Sequence, residues 1–272
     1  MPNLSRLSWP AVFLLFGALL PKPGLADEIV LVSPDYWCPF SCKAASTKEG
    51  FTVDIIREIF VNAGHTVRLV NENYSRALMD VRAGTFTATP STFKDEAPDF
   101  VYPEMPISRN RYCFYVEPSS KWHYTNEASL EGRRTGIIQS YSYGAALDAA
   151  IKTRPKLFEA HTGDNLTERL IRRVGAGRID SFVEEENLVN FTIKNMPTLA
   201  IRNAGCLKSS YAYMAISPAH PRAKEYAQLF SDGIVALKRS GRLKEILAEY
   251  GLNEWPLPAS HRVVPGGGAL SR

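Results

Sequence analysis

Apolar and polar positions along this chain switch period several times, and each switch marks an element. Residues 28–33, EIVLVS, are largely apolar and end in a Pro-Asp turn, the pattern of a strand. Val53, Ile56, Ile59, Phe60 and Ala63 then recur at helical spacing, Gly64 supplies a stop, and HTVRLV reads as a second strand. This strand, helix, strand order makes a βαβ opening. NYSRALMDVRAG adds a helix from Tyr74 to Ala83 closed by Gly84, GTFTATPSTFK reads as a loop, and RYCFYVE is a strand around Cys113. The second half repeats the grammar. RTGIIQ, KLFEA and IDSFVE are strands, each followed by a helix: GAALDAAIKT, NLTERLIRRVGAG and ENLVNFTIKN. After YAYMAIS come two closing helices, PRAKEYAQLFSDGIVALKRSG and RLKEILAEYG. Alternating strands and helices imply an α/β protein.

The N-terminus changes the picture of where the chain works. Arg6 precedes the apolar run AVFLLFGALL, and Gly24 and Ala26 offer small residues at the spacing signal peptidase requires. The run is about half of the roughly 20 residues a membrane span needs, so residues 1–26 read as a signal peptide cleaved after Ala26. Its removal takes Arg6 and Lys22 and leaves 30 basic against 28 acidic residues, a net charge of +2. That balance argues against nucleic acid or an anionic membrane surface as partner. Residues 256–272 are rich in Pro and Gly and are expected to be a disordered tail. All four cysteines, Cys38, Cys42, Cys113 and Cys206, fall in the exported part, where oxidation to two disulfides is expected and three pairings are open. Zinc on four thiolates is the competing reading, and the place of Cys113 in an apolar strand-like run counts against it. The five histidines have no metal-ligand spacing, and the chain carries no nucleophile elbow, Walker loop or dinucleotide fingerprint, so neither a metal nor a cofactor is expected.

The order of five stretches carries a resemblance. DYWCPF follows the first strand, GFTVDII opens the first helix, DEAPDFVYPEMPI precedes a strand, SLEGRRTGIIQSYSYG opens the second half and GAGRIDSFVEEE follows. In this order, with the closing ALKRSGRLKEILAEYG, they resemble the periplasmic solute-binding proteins of polar amino-acid ABC transporters, the family 3-like group with the type 2 binding-protein fold. The likeness covers residues 28–251. It implies two α/β lobes joined by a hinge of two crossing strands, near YCFYV and AYMAIS, with a small-molecule solute between them. Lobe one would be residues 27–115 and 213–255, and lobe two residues 116–212. It further implies a periplasmic monomer that delivers its solute to an inner-membrane ABC permease. Ser-Tyr-Ser-Tyr-Gly at a helix start offers backbone N–H groups and a positive dipole end, a place for a carboxylate, and Tyr141, Ser142 and Tyr143 match the family's contact positions there. An ordinary helix cap by Ser142 is the plainer reading.

The family grips the same carboxylate with an arginine of lobe one. Counting back from Phe100 lands here on Lys94, a point charge where a bidentate fork is usual. Arg76 is the second candidate cation, and either could instead be a solvated surface residue. Glu185 falls where the family places its amine-binding acid, although Glu184, Glu185 and Glu186 could equally start a helix. Trp37 and Tyr74 match the aromatic walls that sandwich the ligand, with core packing as the alternative. The expected disulfides are Cys38 with Cys42, stapling the loop beside Trp37, and Cys113 with Cys206 near the hinge. The principal expectation is a binding protein for an amino acid or related zwitterion, with no catalytic residue. Two alternatives stay open: a cyclohexadienyl dehydratase-like enzyme using Glu185 as acid or base, and a ligand sensor for a membrane signalling partner.

Overall fold

Two helices and two strands set the first lobe. Helix α1 (Phe51–Asn62) buries Phe51, Val53, Ile55, Ile56, Ile59 and Phe60, side chains worth about 1.5–3 kcal/mol each when taken fully from water. They lie on a sheet begun by β1 (Glu28–Ser33) and β2 (Thr66–Asn71), which run parallel with Leu31 opposite Leu69. The far side of α1 meets α6 (Ala223–Ser240), where a Cβ on Gly233 would stand 2.4 Å from Ile59, so the close approach requires glycine. This computed structural model describes residues 26–34, 37–139, 141–163, 165–196 and 198–256. The expected signal peptide, apart from Ala26, and the expected tail after Pro256 lie outside the described residues. No helix among the described residues is long and apolar enough to cross a membrane.

Ten strands form two sheets of five. The first has the order β2-β1-β3-β10-β4, with β3 at Ala88–Thr92, β4 at Ser108–Asn110 and β10 at Ser210–Ile216. Helices α2 (Tyr74–Arg82), α6 and α7 (Arg242–Glu249) pack with it. The second has β7 (Phe158–His161), β6 (Thr135–Ile138), β8 (Ser181–Glu185), β5 (Tyr112–Val116) and β9 (Arg202–Cys206) in that order. Its helices are α3 (Ala145–Thr153), α4 (Leu166–Gly175) and α5 (Glu186–Asn195). The result is the mixed α/β, two-lobed architecture expected.

The chain changes sheet twice. It passes from β4 to β5 through Arg111 alone and returns from β9 to β10 through residues 207–209. The expected lobe boundaries, at 115/116 and 212/213, therefore lie a few residues inside the strands on either side. The physical reason is pairing: β5 lies between β8 and β9, and β10 between β3 and β4, so each strand belongs whole to one sheet. Cys113 and Cys206 face one another across β5 and β9 and form a disulfide, and Cys38 and Cys42 form the other. Both are the expected pairs.

The segment read as a loop, GTFTATPSTFK, holds a fully buried strand. β3 sits between β1 and β10 with all five residues buried. Pro90, which cannot donate to a ladder, is accommodated because the register with β10 shifts between Tyr213 and Ala215. Thr89 and Thr92 share a side-chain hydrogen bond here. The carboxyl end of this strand supplies much of the site.

Candidate functional site

The carboxyl ends of β1, β3 and β6 converge on a pocket between the lobes, the usual place for a ligand in an α/β sheet. Beyond β1 stand Pro34 and Trp37, and the first residue of α2 contributes Tyr74. The end of β3 adds Ser91 and Thr92, and the turn after it adds Phe93 and Glu96. The second lobe closes the pocket with Tyr112, from the strand just past the first crossing, and with Tyr141 and Ser142 beyond β6.

Trp37 is placed by Phe40, on which it stacks with centroids 4.4 Å apart, and by the Cys38–Cys42 bridge next to it. Its indole Nε1 is buried without a hydrogen-bond partner among the described residues. Ser91 is in the same position: its side chain is buried, and its Oγ has no hydrogen-bond partner among the described residues. Groups like these, lining a cavity, are available to a ligand. The Tyr74 hydroxyl donates to Glu96 Oε2 at 2.7 Å and lies 3.3 Å from Thr92 Oγ1. The Phe93 N–H donates to the same Oε2 at 3.1 Å, so both bonds fall on one carboxylate oxygen. Burial pushes the Glu96 carboxyl above its ordinary range against the pull of these two bonds, and the charges of Asp95 and Asp148 push the same way. Burial, together with the Glu96 charge, pushes the Tyr74 phenol well up, so it stays a donor.

Of the residues expected at the site, Trp37, Tyr74, Tyr141 and Ser142 line this pocket together. Four others lie elsewhere. Tyr143 belongs to the core of lobe two: it is 3% exposed, meets Tyr112 edge-on at 5.1 Å and accepts from the Ile138 N–H at 2.7 Å. The Lys94 ammonium lies 4.1 Å from the centroid of Tyr213 and 5.6 Å from that of Tyr102, held by cation–π attraction away from the pocket lining. Arg76 projects from the outer face of α2, its side chain 67% exposed, between Glu72 at 3.3 Å and Asp80 at 3.4 Å.

Glu185 is the fourth and the clearest departure. It ends β8 fully buried and caps α5, accepting from the N–H groups of Asn187 at 2.7 Å and Leu188 at 3.0 Å. Arg111 N–H and the Asn187 side-chain amide also donate to it, at 3.3 and 3.2 Å. The carboxylate meets the needs of a helix end and of the first lobe crossing, and it faces no cleft. Burial pushes it up to about 8, against the pull of the Leu188, Arg111 and Asn187 N–H groups. Its neighbour Glu184, also fully buried, is pushed up to about 7.

The turn expected to take a carboxylate already holds one. Asp148, in the first turn of α3, accepts from the Tyr143 N–H at 2.8 Å through Oδ1 and from the Ser142 hydroxyl at 2.7 Å through Oδ2. This meets part of the demand for negative charge at the α3 N-terminus from within the chain. Sequence reasoning missed Ser91, Thr92, Phe93, Glu96 and Tyr112. The alternation rule could not find β3, and Glu96 sits in KDEAPD among three other charged residues. A Tyr-to-Glu pairing between α2 and that run is the feature that sets it apart.

No family model matches the chain, and no curated protein matches it. Solved structures do. A structure described for glutathione import via GshT and the cystine ABC importer TcyBC of Streptococcus mutans is 17% identical, with a TM-score of 0.70 over 85% of this chain and 98% of that one. The arginine-, lysine-, histidine-binding protein ArtJ of Geobacillus stearothermophilus is 16% identical, with a TM-score of 0.65 over 82% and 95%. A histidine kinase sensor domain with similarity to periplasmic binding proteins is 17% identical, with a TM-score of 0.64 over 84% and 98%. At such identities the likeness establishes the fold, and it is the two-lobed fold of periplasmic binding proteins.

Proposed function

We propose that the chain is an extracytoplasmic solute-binding protein that takes a small polar solute between its lobes, closes about the two crossings, and delivers it to an ABC importer. The observation that carries this reading is the pocket, to which both lobes contribute aromatic walls and hydroxyls, at strand ends joined by two short crossings. The two disulfides accord with an oxidising compartment. The neighbours named for glutathione import and for binding arginine, lysine and histidine point to solutes of amino-acid size. The likeness to a kinase sensor domain supports a second reading, in which the same closure reports the solute to a membrane partner. The dehydratase alternative rested on Glu185, whose carboxylate is committed to the α5 cap and does not line the pocket.

A thermal-shift screen of the purified protein against amino acids, amines, organic acids and small peptides tests the reading. A ligand at about a hundred times its Kd adds about 2.7 kcal/mol, which moves the midpoint by about 5–11 °C. Small-angle scattering should then show a smaller radius of gyration with the hit bound. A hit consumed during the measurement, or one that leaves the radius unchanged, would count against binding by closure.

A further inference from the structure

We infer that the pocket selects an organic ammonium ion that carries no carboxylate, held by Glu96 within a ring of aromatic side chains. The inference deepens the proposed solute-binding function and rests on it. A zwitterion needs a cation or a set of free N–H groups on the protein to hold its carboxylate. Among the described residues lining the pocket there is no lysine or arginine. The two candidates nearest in sequence are occupied: Lys94 by the rings of Tyr213 and Tyr102, Arg76 by Glu72 and Asp80. The Tyr143 N–H and the Ser142 hydroxyl, which open α3, are occupied by Asp148. A ligand carboxylate would enter beside Glu96, with Asp95 and Asp148 close enough to act on the same group. Like charges in such a site repel, and no cation among the described lining residues offsets them.

A cation meets the opposite situation. Trp37, Tyr74, Phe93, Tyr112 and Tyr141 bring five aromatic rings to one pocket from both lobes. Ring faces attract ammonium groups, most strongly where water is excluded. Glu96 supplies the counter-charge. Its two hydrogen bonds, from Tyr74 and Phe93, both fall on Oε2 and leave Oε1 to accept from an ammonium. Ser91 is a second and independent sign of a ligand: 95% buried, it lines the pocket with an unpartnered hydroxyl. With Trp37 Nε1 it can serve a neutral hydroxyl, ether or amide of the same molecule.

The experiment uses matched pairs: agmatine with arginine, putrescine with ornithine, tyramine with tyrosine, choline with glycine betaine. Isothermal titration of the oxidised, full protein should show at least one amine or quaternary ammonium binding about tenfold or more tighter than its carboxylated counterpart. Glu96→Gln, whose carbonyl can keep the bonds from Tyr74 and Phe93, should weaken that ion by about thirtyfold or more while the unliganded melting point holds. Trp37→Leu should weaken it as well, through a wall that carries no charge. A carboxylated member binding as tightly as its amine, or Glu96→Gln binding the amine as tightly as the parent protein, would overturn the inference and leave the solute-binding reading intact. Binding of organic acids alone would do the same. If no compound of the wider screen stabilises the protein, both fall.

Discussion

Replacing Glu185 with alanine separates a structural carboxylate from a ligand-binding one. In the parent protein it receives four N–H donors, two of which are the N-terminal amides of α5 and a third the amide of Arg111 in the first crossing. Loss of a helix cap costs about 0.5–2 kcal/mol. Each buried amide left without an acceptor adds about 1–3 kcal/mol before water and relaxation recover part of it. Relief of a carboxyl that burial has pushed up to about 8 works the other way. The sign of that relief follows from the raised value. The contribution favours the folded state fully below the unfolded carboxylate range and is lost as pH rises toward about 8, so the relief gained by removing the carboxyl is smallest at pH 5 and grows toward pH 8. The net loss at pH 5 is therefore about 2–4 kcal/mol, which for a domain of this size lowers the melting point by about 5–15 °C. Urea titration at pH 5 and pH 8 measures it, and the deficit should be the larger at pH 5. Glu185→Asp, which keeps an N-cap acceptor, should retain most of the stability. An alanine variant with an unchanged urea midpoint at pH 5 would refute the capping argument.

Three further outcomes follow from the same geometry. Glu184 has the same sign, because burial pushes it up to about 7, so parent stability should decline between about pH 4.5 and 7, and Glu184→Gln should flatten that decline, by up to about 3 kcal/mol, in urea titrations across the range. Cys113→Ser with Cys206→Ser opens a link between residues 93 apart and should cost up to about 4–5 kcal/mol by the chain-entropy argument, read as a lower denaturation midpoint that reductant no longer affects through this pair. Asp148→Ala frees the Tyr143 N–H and the Ser142 hydroxyl, and should shift the ratio of amino-acid to amine affinity toward the amino acid by about threefold or more in titration calorimetry. An unchanged ratio would mean that the α3 N-terminus has no bearing on the pocket.

The helices were legible because their apolar period is local. ENLVNFTIKN was expected to be helical over 186–195, and α5 has those bounds. The βαβ opening was legible for the same reason. β3 was not, because a strand buried on both faces shows no alternation, and its core is made of threonines, a serine and a proline that read as a turn. Pairing with β1 and β10 makes it a strand, and that information lies far away in the sequence. At the site, the aromatic walls at Trp37 and Tyr74 and the turn residues Tyr141 and Ser142 follow elements whose order was visible. The charges were harder. Lys94 and Arg76 could be counted into place along the chain, but what holds each is a ring or a carboxylate that folding brings up beside it. Glu185 sat at the expected strand end, yet β8 is buried at every position and its last residue caps α5, which the residue types alone did not distinguish from a cleft-facing acid.

The positions of two carboxylates tie these differences together. The resemblance implies a zwitterion pocket in which the helix end and a lobe-one cation attract the ligand's anion while an acid in lobe two takes its ammonium. Here Asp148 is fixed four residues into α3's own sequence, so it reaches the N-terminal groups without the loss of translational freedom a ligand carboxylate would pay. A free carboxylate competing for those groups starts at a disadvantage of several orders of magnitude in effective concentration. The acid has moved as well: the lobe-two glutamate serves the hinge-side helix, and the pocket's carboxylate is Glu96 in lobe one, steadied by Tyr74 from α2. With the acid in lobe one and an aromatic wall of Tyr112 and Tyr141 in lobe two, the proposed binding mode would have a cation at Glu96 draw ring faces across the cleft onto itself as the lobes close. On that proposal, closure would strengthen the attraction to the same charge that began the binding, and no second charge on the solute would be required to draw the lobes together.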